Sequence, residues 1–239
     1  MNLVDKLLAL PPPFWADEST AIFNADCNAI LPLFDPARVN LLCTDPPYGI
    51  GFKLGRTKTR KSRFEGRAMY GDGQAFDPTP LLRFPRLVIF GANNFSQRLP
   101  PSQNWCVWDK RHGSKTDGKS DFREFELIWS NLRGGGRFFR HLWFGFCRAS
   151  EGGIPREHPT QKPVALMRWL IERFSGPGDL ILDPYMGAGT TLVAARQLGR
   201  PAIGIEYESR YCRAAVRRVK EVPLQASRNK PAESVQLNC

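Results

Sequence analysis

The sequence predicts an α/β fold built on a mostly parallel sheet. In the second half of the chain, buried-type strands over 179–183 and 202–206 alternate with helices over 190–198 and 209–219. In the first half, apolar runs such as 39–43 end in loops of proline, glycine and polar residues. Strands that alternate with helices are typical of parallel sheets whose faces are covered by helices.

The other elements follow from apolar spacing and turn residues. Pro163 lies at the first turn of a helix with apolar residues at helical spacing, and a Ser-Gly-Pro-Gly run from residue 175 ends it. Further strands are predicted over 21–24, 87–90, 105–108 and 125–129, and a further helix over 27–34. We expect one domain over residues 1–222 and a disordered tail over 223–239, which is polar and lacks periodicity.

Composition restricts the class of protein. The chain has 239 residues, of which 42% are hydrophobic, and no apolar run of membrane-spanning length. The six cysteines are scattered without metal spacing, so we expect reduced thiols, no metal site and a cytoplasmic protein. The net charge of +11 indicates a polyanionic partner.

The first motif runs from Thr44 to Gly51. It places Asp45, Pro46, Pro47 and Tyr48 on a loop at the end of a strand. Prolines donate no N–H, so the loop offers mainly hydrogen-bond acceptors, while a tyrosine ring can stack on a planar group. The motif therefore predicts chemistry on the exocyclic amine of a nucleobase-like ring.

The second motif joins a strand, a glycine turn and a helix start. Asp183, Gly187 and Gly189 precede the helix, and Glu206 ends the next strand. An acid at that position can hold ribose hydroxyls, and glycines let a ligand approach the backbone. The turn lacks the fingerprints of pyrophosphate-binding loops. It therefore favours a nucleoside with a cationic or amino-acid end, such as S-adenosylmethionine.

The third motif is the His-Pro-Thr-Gln-Lys-Pro run from residue 158 to 163. It lies just before a helix, where side chains and free N–H groups suit a carboxylate. Thr160, Gln161 and Lys162 are thus candidates for the carboxylate of the same cofactor.

Together, in this order, the three motifs resemble the beta group of amino-methylating DNA methyltransferases. The resemblance covers about residues 20 to 220. It implies a Rossmann-like, seven-stranded, mostly parallel sheet with one antiparallel strand, circularly permuted so that the catalytic half comes first. It also implies that Asp26 contacts the cofactor's adenine and that Tyr185, where the family more often has Phe, packs a ring against the cofactor. The full set of expected cofactor contacts is Asp26, Asp45, His158, Thr160, Gln161, Lys162, Asp183, Tyr185, Gly187, Gly189, Thr190 and Glu206.

The activity implied is methyl transfer from S-adenosylmethionine to N6 of a flipped-out adenine in double-stranded DNA. Asp at position 45 favours adenine, because cytosine-N4 relatives more often carry Ser there. Cytosine N4 remains the alternative target. A catalytically silent DNA-binding regulator is the alternative of another class, and an RNA substrate also stays open. No Pro-Cys occurs, which argues against cytosine-C5 chemistry.

Two basic segments are candidates for DNA contact. We expect a mobile basic loop over 52–72 and a target-recognition segment over 131–157, where arginine suits guanine edges. The candidate residues are Lys53, Arg56, Lys58, Arg60, Lys61, Arg63, Arg133, Arg137 and Arg140. A homodimer and a cognate restriction endonuclease are further partners that the resemblance makes plausible.

Overall fold

The computed structural model describes residues 10–51, 64, 70–111, 123–144 and 147–224. The helices in these ranges are α1 (Cys27–Ile30), α2 (Thr79–Leu82), α3 (Val164–Phe174), α4 (Thr190–Gln197) and α5 (Ser209–Lys220). The strands are β1 (Trp15–Ala16), β2 (Thr20–Asn24), β3 (Leu41–Thr44), β4 (Leu87–Phe90), β5 (Asn104–Asp109), β6 (Phe125–Ser130), β7 (Arg137–Arg140), β8 (Trp143–Phe144), β9 (Cys147–Arg148), β10 (Ile181–Asp183) and β11 (Ala202–Glu206).

One sheet carries nine of the strands in the order β1-β2-β11-β10-β3-β4-β6-β5-β7. Its seven central strands are parallel except β6, which runs antiparallel to both β4 and β5. This confirms the predicted α/β class, the mostly parallel sheet and the order in which the catalytic half precedes the cofactor half. The sheet is wider than the expected seven strands, because β1 and β7 each add one at an edge.

Helices cover both faces of the sheet, so the fold has three layers, and apolar side chains pack between them. One face is covered by α3, α4 and α5, through buried residues such as Leu166, Leu192 and Cys212. The other face is covered by α1, α2 and short 3₁₀ turns, through residues such as Leu31 and Phe84. Strands buried on both faces explain why β4 is continuously apolar in sequence and why Thr44 is the one polar residue of β3.

The predicted helix over 27–34 is shorter in the structure. It is α1 followed by a 3₁₀ turn over Leu31–Leu33. Pro32 has no N–H to donate and its ring crowds the preceding turn, so an α-helix does not continue through it. Strands β7, β8 and β9 were not predicted, because their arginine-rich sequence lacks a clear two-residue alternation.

Several predicted segments fall outside the described residues. These include most of the basic loop over 52–72 and the tail from 225 onward. Among the helices that the structure describes, none combines the length and apolarity needed to cross a membrane. The five cysteines in the described ranges form no disulfide with one another.

Candidate active site

The acids of the two loop motifs lie together at the carboxyl edge of the sheet. Asp45 follows β3, Asp183 ends β10 and Glu206 ends β11, and these three strands are neighbours. At about 4.8 Å per strand, the three ends lie within about 10 Å of one another across the sheet. Open α/β sheets bind ligands outside this edge, so the sequence motifs converge on one site.

Tyr48 is fixed by a hydrogen bond and by a glycine. Its hydroxyl donates to Asp45 Oδ1 at 2.5 Å. Its ring lies against the backbone of Gly91, where an added Cβ would come within 2.1 Å of Tyr48 Cε1. Gly91 also has a φ of +62°, a conformation that favours glycine. The loop after β3 therefore depends on a glycine that follows β4.

Asp72 holds the far end of the same loop. Its Oδ1 accepts from the N–H groups of Gly49, at 2.8 Å, and Ile50, at 3.3 Å. Its carbonyl accepts from the N–H of Gly51. The carboxylate is buried, so it is a structural part of the loop, which the sequence did not indicate.

Lys162 lies against Asp45, on the base side of the site. Its Nζ donates to Asp45 Oδ2 at 2.6 Å and lies 3.2 Å from Glu126 Oε2. Lys110 forms a salt bridge with the other oxygen of Glu126. The ammonium of Lys162 also lies 5.3 Å from the ring centroid of Phe90. The expected contact of Lys162 with a cofactor carboxylate stays a prediction, since two protein carboxylates already surround it.

The protonation states of this group follow from burial and charge. Burial raises the pKa of Asp45, and Glu126 adds to the rise, while Lys162 opposes it. Burial alone would lower the pKa of Lys162, but the two carboxylates raise it. Burial also raises the pKa of Glu126, but the two lysines reverse that and lower it to about 2. The group is thus a buried chain of alternating charges.

Asp183 connects the loop after β3 (residues 45–51, the base loop) to the turn between β10 and α4 (residues 184–189, the cofactor loop). Its Oδ1 accepts from the hydroxyl of Thr44 at 2.6 Å and from the N–H of Tyr185 at 3.1 Å. Its Oδ2 accepts from the hydroxyl of Thr191, in the first turn of α4. Burial raises the pKa of Asp183 to about 6. Both oxygens thus have protein donors, and its expected contact with a cationic cofactor end stays a prediction.

The two cofactor-loop glycines allow close packing. Gly189 has a φ of +72°, and a Cβ there would lie 2.7 Å from the Cβ of Ala215 on α5. Gly187, with a φ of +51°, donates its N–H to Glu206 Oε2 at 3.1 Å. The loop is therefore pressed between α5 and the end of β11, as a ligand-binding turn over a strand requires.

Thr190, another expected cofactor contact, faces an arginine. Arg218 Nη1 donates to the hydroxyl of Thr190 at 3.0 Å and to the carbonyl of Ala188 at 2.7 Å. The structure thus gives Thr190 a role in joining α5 to the loop. A cofactor contact of its own stays a prediction.

Glu206 is a partly buried acceptor at the end of β11. Its Oε1 accepts from the N–H of Glu208 at 2.7 Å, and its Oε2 from Gly187. Burial raises the pKa of Glu206 to about 7. Each carboxylate oxygen has two lone pairs, so both retain acceptor capacity for a ligand.

The segment from 158 to 163 packs its histidine on the cofactor loop. A Cβ added at Gly187 would lie 3.4 Å from His158 Cδ2, and the ring of His158 meets that of Tyr211 edge-on at 4.4 Å. Burial lowers the pKa of His158 to about 3, so the ring is neutral. Its Nδ1 lies 3.2 Å from the hydroxyl of Thr160. Gln161 accepts from the N–H of Glu157 at 2.8 Å.

Asp26 and Tyr185 lie at the ends of the neighbouring strands. Asp26 accepts from the N–H of Asn28 at 2.9 Å as the N-cap of α1. The ring of Tyr185 meets that of Phe76 edge-on at 5.7 Å, and burial raises its pKa. Both residues therefore border the edge where Glu206 ends β11, and their expected contacts with the cofactor stay predictions.

The candidate DNA contacts are only partly described. Lys53, Arg56, Lys58, Arg60, Lys61 and Arg63 lie outside the described residues. Arg133, Arg137 and Arg140 are exposed, the last two on β7. Phe138 between them is 64% exposed, and Arg140 lies 5.5 Å from the centroid of its ring.

A shallow cavity of about 300 Å³ adjoins these side chains. Its lining is Val107, Asp109, Arg111, Glu124, Phe125, Phe138 and Arg140. It does not include Asp45 or Glu206, so it is separate from the site at the carboxyl edge. Across the described ranges, no three His, Cys, Asp or Glu side chains form a cluster that could hold a metal.

Sequence reasoning missed Glu126, Lys110, Asp72 and Gly91. A signal existed for Glu126, because it is the single charged residue in the run Phe125–Ser130, which is otherwise apolar or aromatic up to Trp129. A buried acid in a strand requires a partner. The sequence offered no means of identifying that partner, since Lys162 is 36 positions away.

Comparison with known proteins places this site in a family. Residues 90–217 match a family model that is named for N6 and N4 methyltransferases and described as DNA methylase. The putative methylase YubD of Escherichia coli (strain K12) is 49% identical over 223 residues, covering 83% of this chain and 89% of that protein. The type II methyltransferase M2.LlaDCHI of Lactococcus lactis subsp. cremoris is 36% identical over 251 residues, covering 87% of this chain and 92% of that protein.

A solved structure also shares the fold. It is that of TTHA0409, a putative DNA modification methylase from Thermus thermophilus, complexed with S-adenosyl-L-methionine. It aligns with a TM-score of 0.54 and 24% identity, covering 84% of this chain and 94% of that one.

Replacing Gly91 by Ala should displace Tyr48 and destabilise the fold. The added Cβ overlaps the Tyr48 ring at a positive φ, for which we expect a loss of about 1–3 kcal/mol in the free energy of unfolding. Urea denaturation measures it. Gly152→Ala is the matched control, because its Cβ meets nothing within 4 Å. Equal stability of the two variants would contradict the contact.

Proposed function

The chain belongs to the DNA methylase family, and we propose that it transfers a methyl group from S-adenosylmethionine to N6 of adenine in double-stranded DNA. One observation carries the proposal. Thr44 and Asp183, joined by a 2.6 Å hydrogen bond, end neighbouring parallel strands and bind the base loop to the cofactor loop. An amine held by Asp45 and a methyl group held at the Gly187–Gly189 turn would therefore be adjacent.

The cofactor assignment is supported by the chemistry of the edge. Glu206 offers acceptors for ribose hydroxyls, and the turn at Gly187 and Gly189 brings the backbone close to a ligand. Asp26 and Tyr185 border the same edge and suit the adenine end, and His158, Thr160 and Gln161 suit the amino-acid end. The structure of TTHA0409 was solved with S-adenosylmethionine bound.

The base side supplies the acceptors that amine chemistry needs. An exocyclic amine is a poor nucleophile because its lone pair is delocalised into the ring. Asp45 and the Pro46 carbonyl accept hydrogen bonds from its two N–H groups, which draws the nitrogen toward tetrahedral geometry and localises the lone pair. Pro47 stiffens the loop, and Tyr48 stacks on the base once it has left the helix.

The remaining steps depend on charge and orientation. S-adenosylmethionine, when bound, supplies an electrophilic methyl group on a sulfonium. Lys162 opposes the rise that burial causes in the pKa of Asp45, because its ammonium lies 2.6 Å from the carboxylate. The joined loops orient the two reactants, so that proximity provides much of the acceleration.

Adenine is the favoured base because position 45 is Asp, whereas cytosine-N4 relatives more often carry Ser. Cytosine N4 is the second candidate, since the matching family model is named for both amines. Exposed Arg133, Arg137 and Arg140 on and before β7 are proposed to contact the DNA backbone or base edges. A homodimer, a cognate endonuclease and contacts from the basic loop stay predictions.

Methylated DNA identifies the product directly. Incubation with labelled S-adenosylmethionine and mixed-sequence DNA, followed by digestion to nucleosides, should yield N6-methyladenine. Asp45→Asn should lower the transfer rate by about 100-fold or more, because the amine loses its charged acceptor. Asp35→Asn, at an exposed turn, is the control. N4-methylcytosine instead would establish the second candidate, and cofactor binding without any transfer would favour the silent regulator.

Cofactor binding should release a proton near neutral pH. Burial raises the pKa of Glu206 to about 7, and ribose hydroxyls that donate to its carboxylate favour the ionised form. Affinity for S-adenosylmethionine should therefore rise as pH increases through 7. Calorimetry in buffers of different ionisation enthalpy measures the released proton. Glu206→Gln should lower the number of protons released, and Glu172→Gln should leave it unchanged; an unchanged release in Glu206→Gln would disprove the ribose contact.

The β7 arginines should contribute salt-dependent DNA affinity. If Arg137 and Arg140 each neutralise a phosphate, the double Ala variant loses about two units of slope in a plot of log Kobs against log salt. Fluorescence anisotropy with a labelled duplex measures it. Arg168→Ala, an exposed arginine on α3, is the matched control. An unchanged slope in the double variant would remove β7 from the DNA interface.

A further inference from the structure

Four charged side chains form a continuous chain behind the base loop. In order they are Asp45, Lys162, Glu126 and Lys110, and each carboxylate alternates with a lysine. Lys162 lies just before α3, Glu126 is on β6, and Lys110 follows β5. Three separate parts of the fold thus converge on the acid that the proposed reaction uses.

All four side chains are largely withdrawn from solvent. Their exposed fractions are 8% for Lys162, 12% for Glu126, 16% for Lys110 and 20% for Asp45. Burying charges costs free energy that mutual attraction only partly offsets, and apolar replacements of buried ion pairs are often as stable. Fold stability alone therefore accounts poorly for two ion pairs at this position.

Within this row of four charged side chains, Lys162 contacts two acids. Its ammonium donates to Asp45 Oδ2 at 2.6 Å and lies 3.2 Å from Glu126 Oε2. Lys110 engages the other oxygen of Glu126. With two lysines and two carboxylates, the chain is neutral as a whole. Asp45 therefore shares its counter-ion instead of holding it alone.

This sharing affects how strongly Asp45 accepts a hydrogen bond from a donor such as an amine. A carboxylate paired with a full, unshared ammonium is a weaker acceptor, because its lone pairs are already stabilised by charge. A buried carboxylate without a counter-ion becomes protonated, and the neutral acid is a weaker acceptor that also carries an O–H donor. The observed arrangement lies between these extremes.

We propose that Glu126 and Lys110 are positioning residues for methyl transfer, which hold Lys162 so that Asp45 stays ionised yet remains a strong acceptor for the target amine. The inference rests on the proposed amino-methyltransferase function and applies equally to adenine and cytosine. Neither residue touches the reacting atoms. Both act through Lys162, whose contact with Asp45 they set.

Substitutions of Glu126 and of Lys110 should shift the pKa of Asp45 in opposite directions. Glu126→Gln removes a negative charge, so Asp45 becomes the only carboxylate paired with Lys162 and the pKa of Asp45 falls. Lys110→Met leaves Glu126 uncompensated, so Glu126 draws Lys162 away and the pKa of Asp45 rises. A purely structural role would lower activity in both variants without this difference in sign.

Other titratable groups also face Asp45. Tyr48 donates to its Oδ1, and Asp183, at the end of the neighbouring strand, and Cys43, on its own strand, interact with its charge. The pKa of Asp183 is raised to about 6, within the same pH range. The test therefore compares the displacement between variants, since neither substitution removes any of these three groups.

The experiment measures single-turnover methyl transfer to DNA by the full-length protein between pH 5 and 9, with labelled S-adenosylmethionine at saturation. Relative to wild type, the acid limb of the rate profile should move to lower pH in Glu126→Gln and to higher pH in Lys110→Met, each by about one pH unit. Lys110→Arg, which keeps the charge, should stay near wild type. Glu172→Gln and Lys220→Met, on the outer faces of α3 and α5, are the matched controls.

A double Glu126→Gln, Lys110→Met variant completes a double-mutant cycle. Its acid limb should stay at the position of the Glu126→Gln limb, because without Glu126 the loss of Lys110 leaves no carboxylate to draw Lys162 away. Limbs of the two single variants that do not move, or that move in the same direction, would overturn the proposal. Calorimetric binding of S-adenosylmethionine establishes that each variant is folded.

A readout without turnover separates this inference from the proposed function. Carbon-13 NMR of aspartate carboxyl groups, with Asp45→Asn used for assignment, reports the pKa of Asp45 in each variant. Shifts of opposite sign support the inference even if wild type methylates no DNA, a result that would refute the proposed function alone. Absence of such shifts in a protein that does methylate DNA would refute the inference alone.

Discussion

The hydrogen bond from Thr44 to Asp183 is the contact on which the site depends. It joins the ends of β3 and β10, two neighbouring parallel strands, and so fixes the base loop against the cofactor loop. Asp183 also accepts from Thr191 in the first turn of α4, which extends the connection to the helix that follows the glycine turn. Because all three groups are buried, breaking one would leave an unpaired polar atom away from water. The two halves of the site therefore hold their relative position as a unit.

Charge is distributed around this connection in two ways. On the base side, Asp45 and Glu126 share Lys162, and Lys110 completes a neutral chain. On the cofactor side, Asp183 and Glu206 have no such cation among their contacts within the described ranges, and burial raises the pKa of both. On the base side, Lys162 thus opposes the rise that burial causes in the pKa of Asp45, while no lysine or arginine among the described residues opposes the corresponding rise for Asp183 and Glu206 on the cofactor side. This difference suits an amine on one side and a cationic nucleoside on the other.

Much of the fold followed from local pattern. The strands β2, β4, β10 and β11 and the helices α3, α4 and α5 were predicted within two residues, because their apolar spacing is regular and glycine, proline or serine marks their ends. The prediction failed where the pattern is interrupted. Pro32 interrupts the first predicted helix. The arginine-rich edge strand β7 has no clear alternation of apolar and polar residues, and the strand it pairs with, β5, lies about thirty residues earlier.

The sequence by itself determined which residues are candidates for the chemistry. Asp45 to Tyr48, the glycine turn and Glu206 are consecutive or closely spaced motifs, and local order suffices to recognise them. Only the tertiary structure decided what those residues contact. Lys162 meets Asp45 across 117 positions of sequence, Thr44 meets Asp183 across 139, and Gly91 fits beneath Tyr48. Such contacts arise from the order of strands in the sheet, and strand order is a property of the whole chain that no short segment contains.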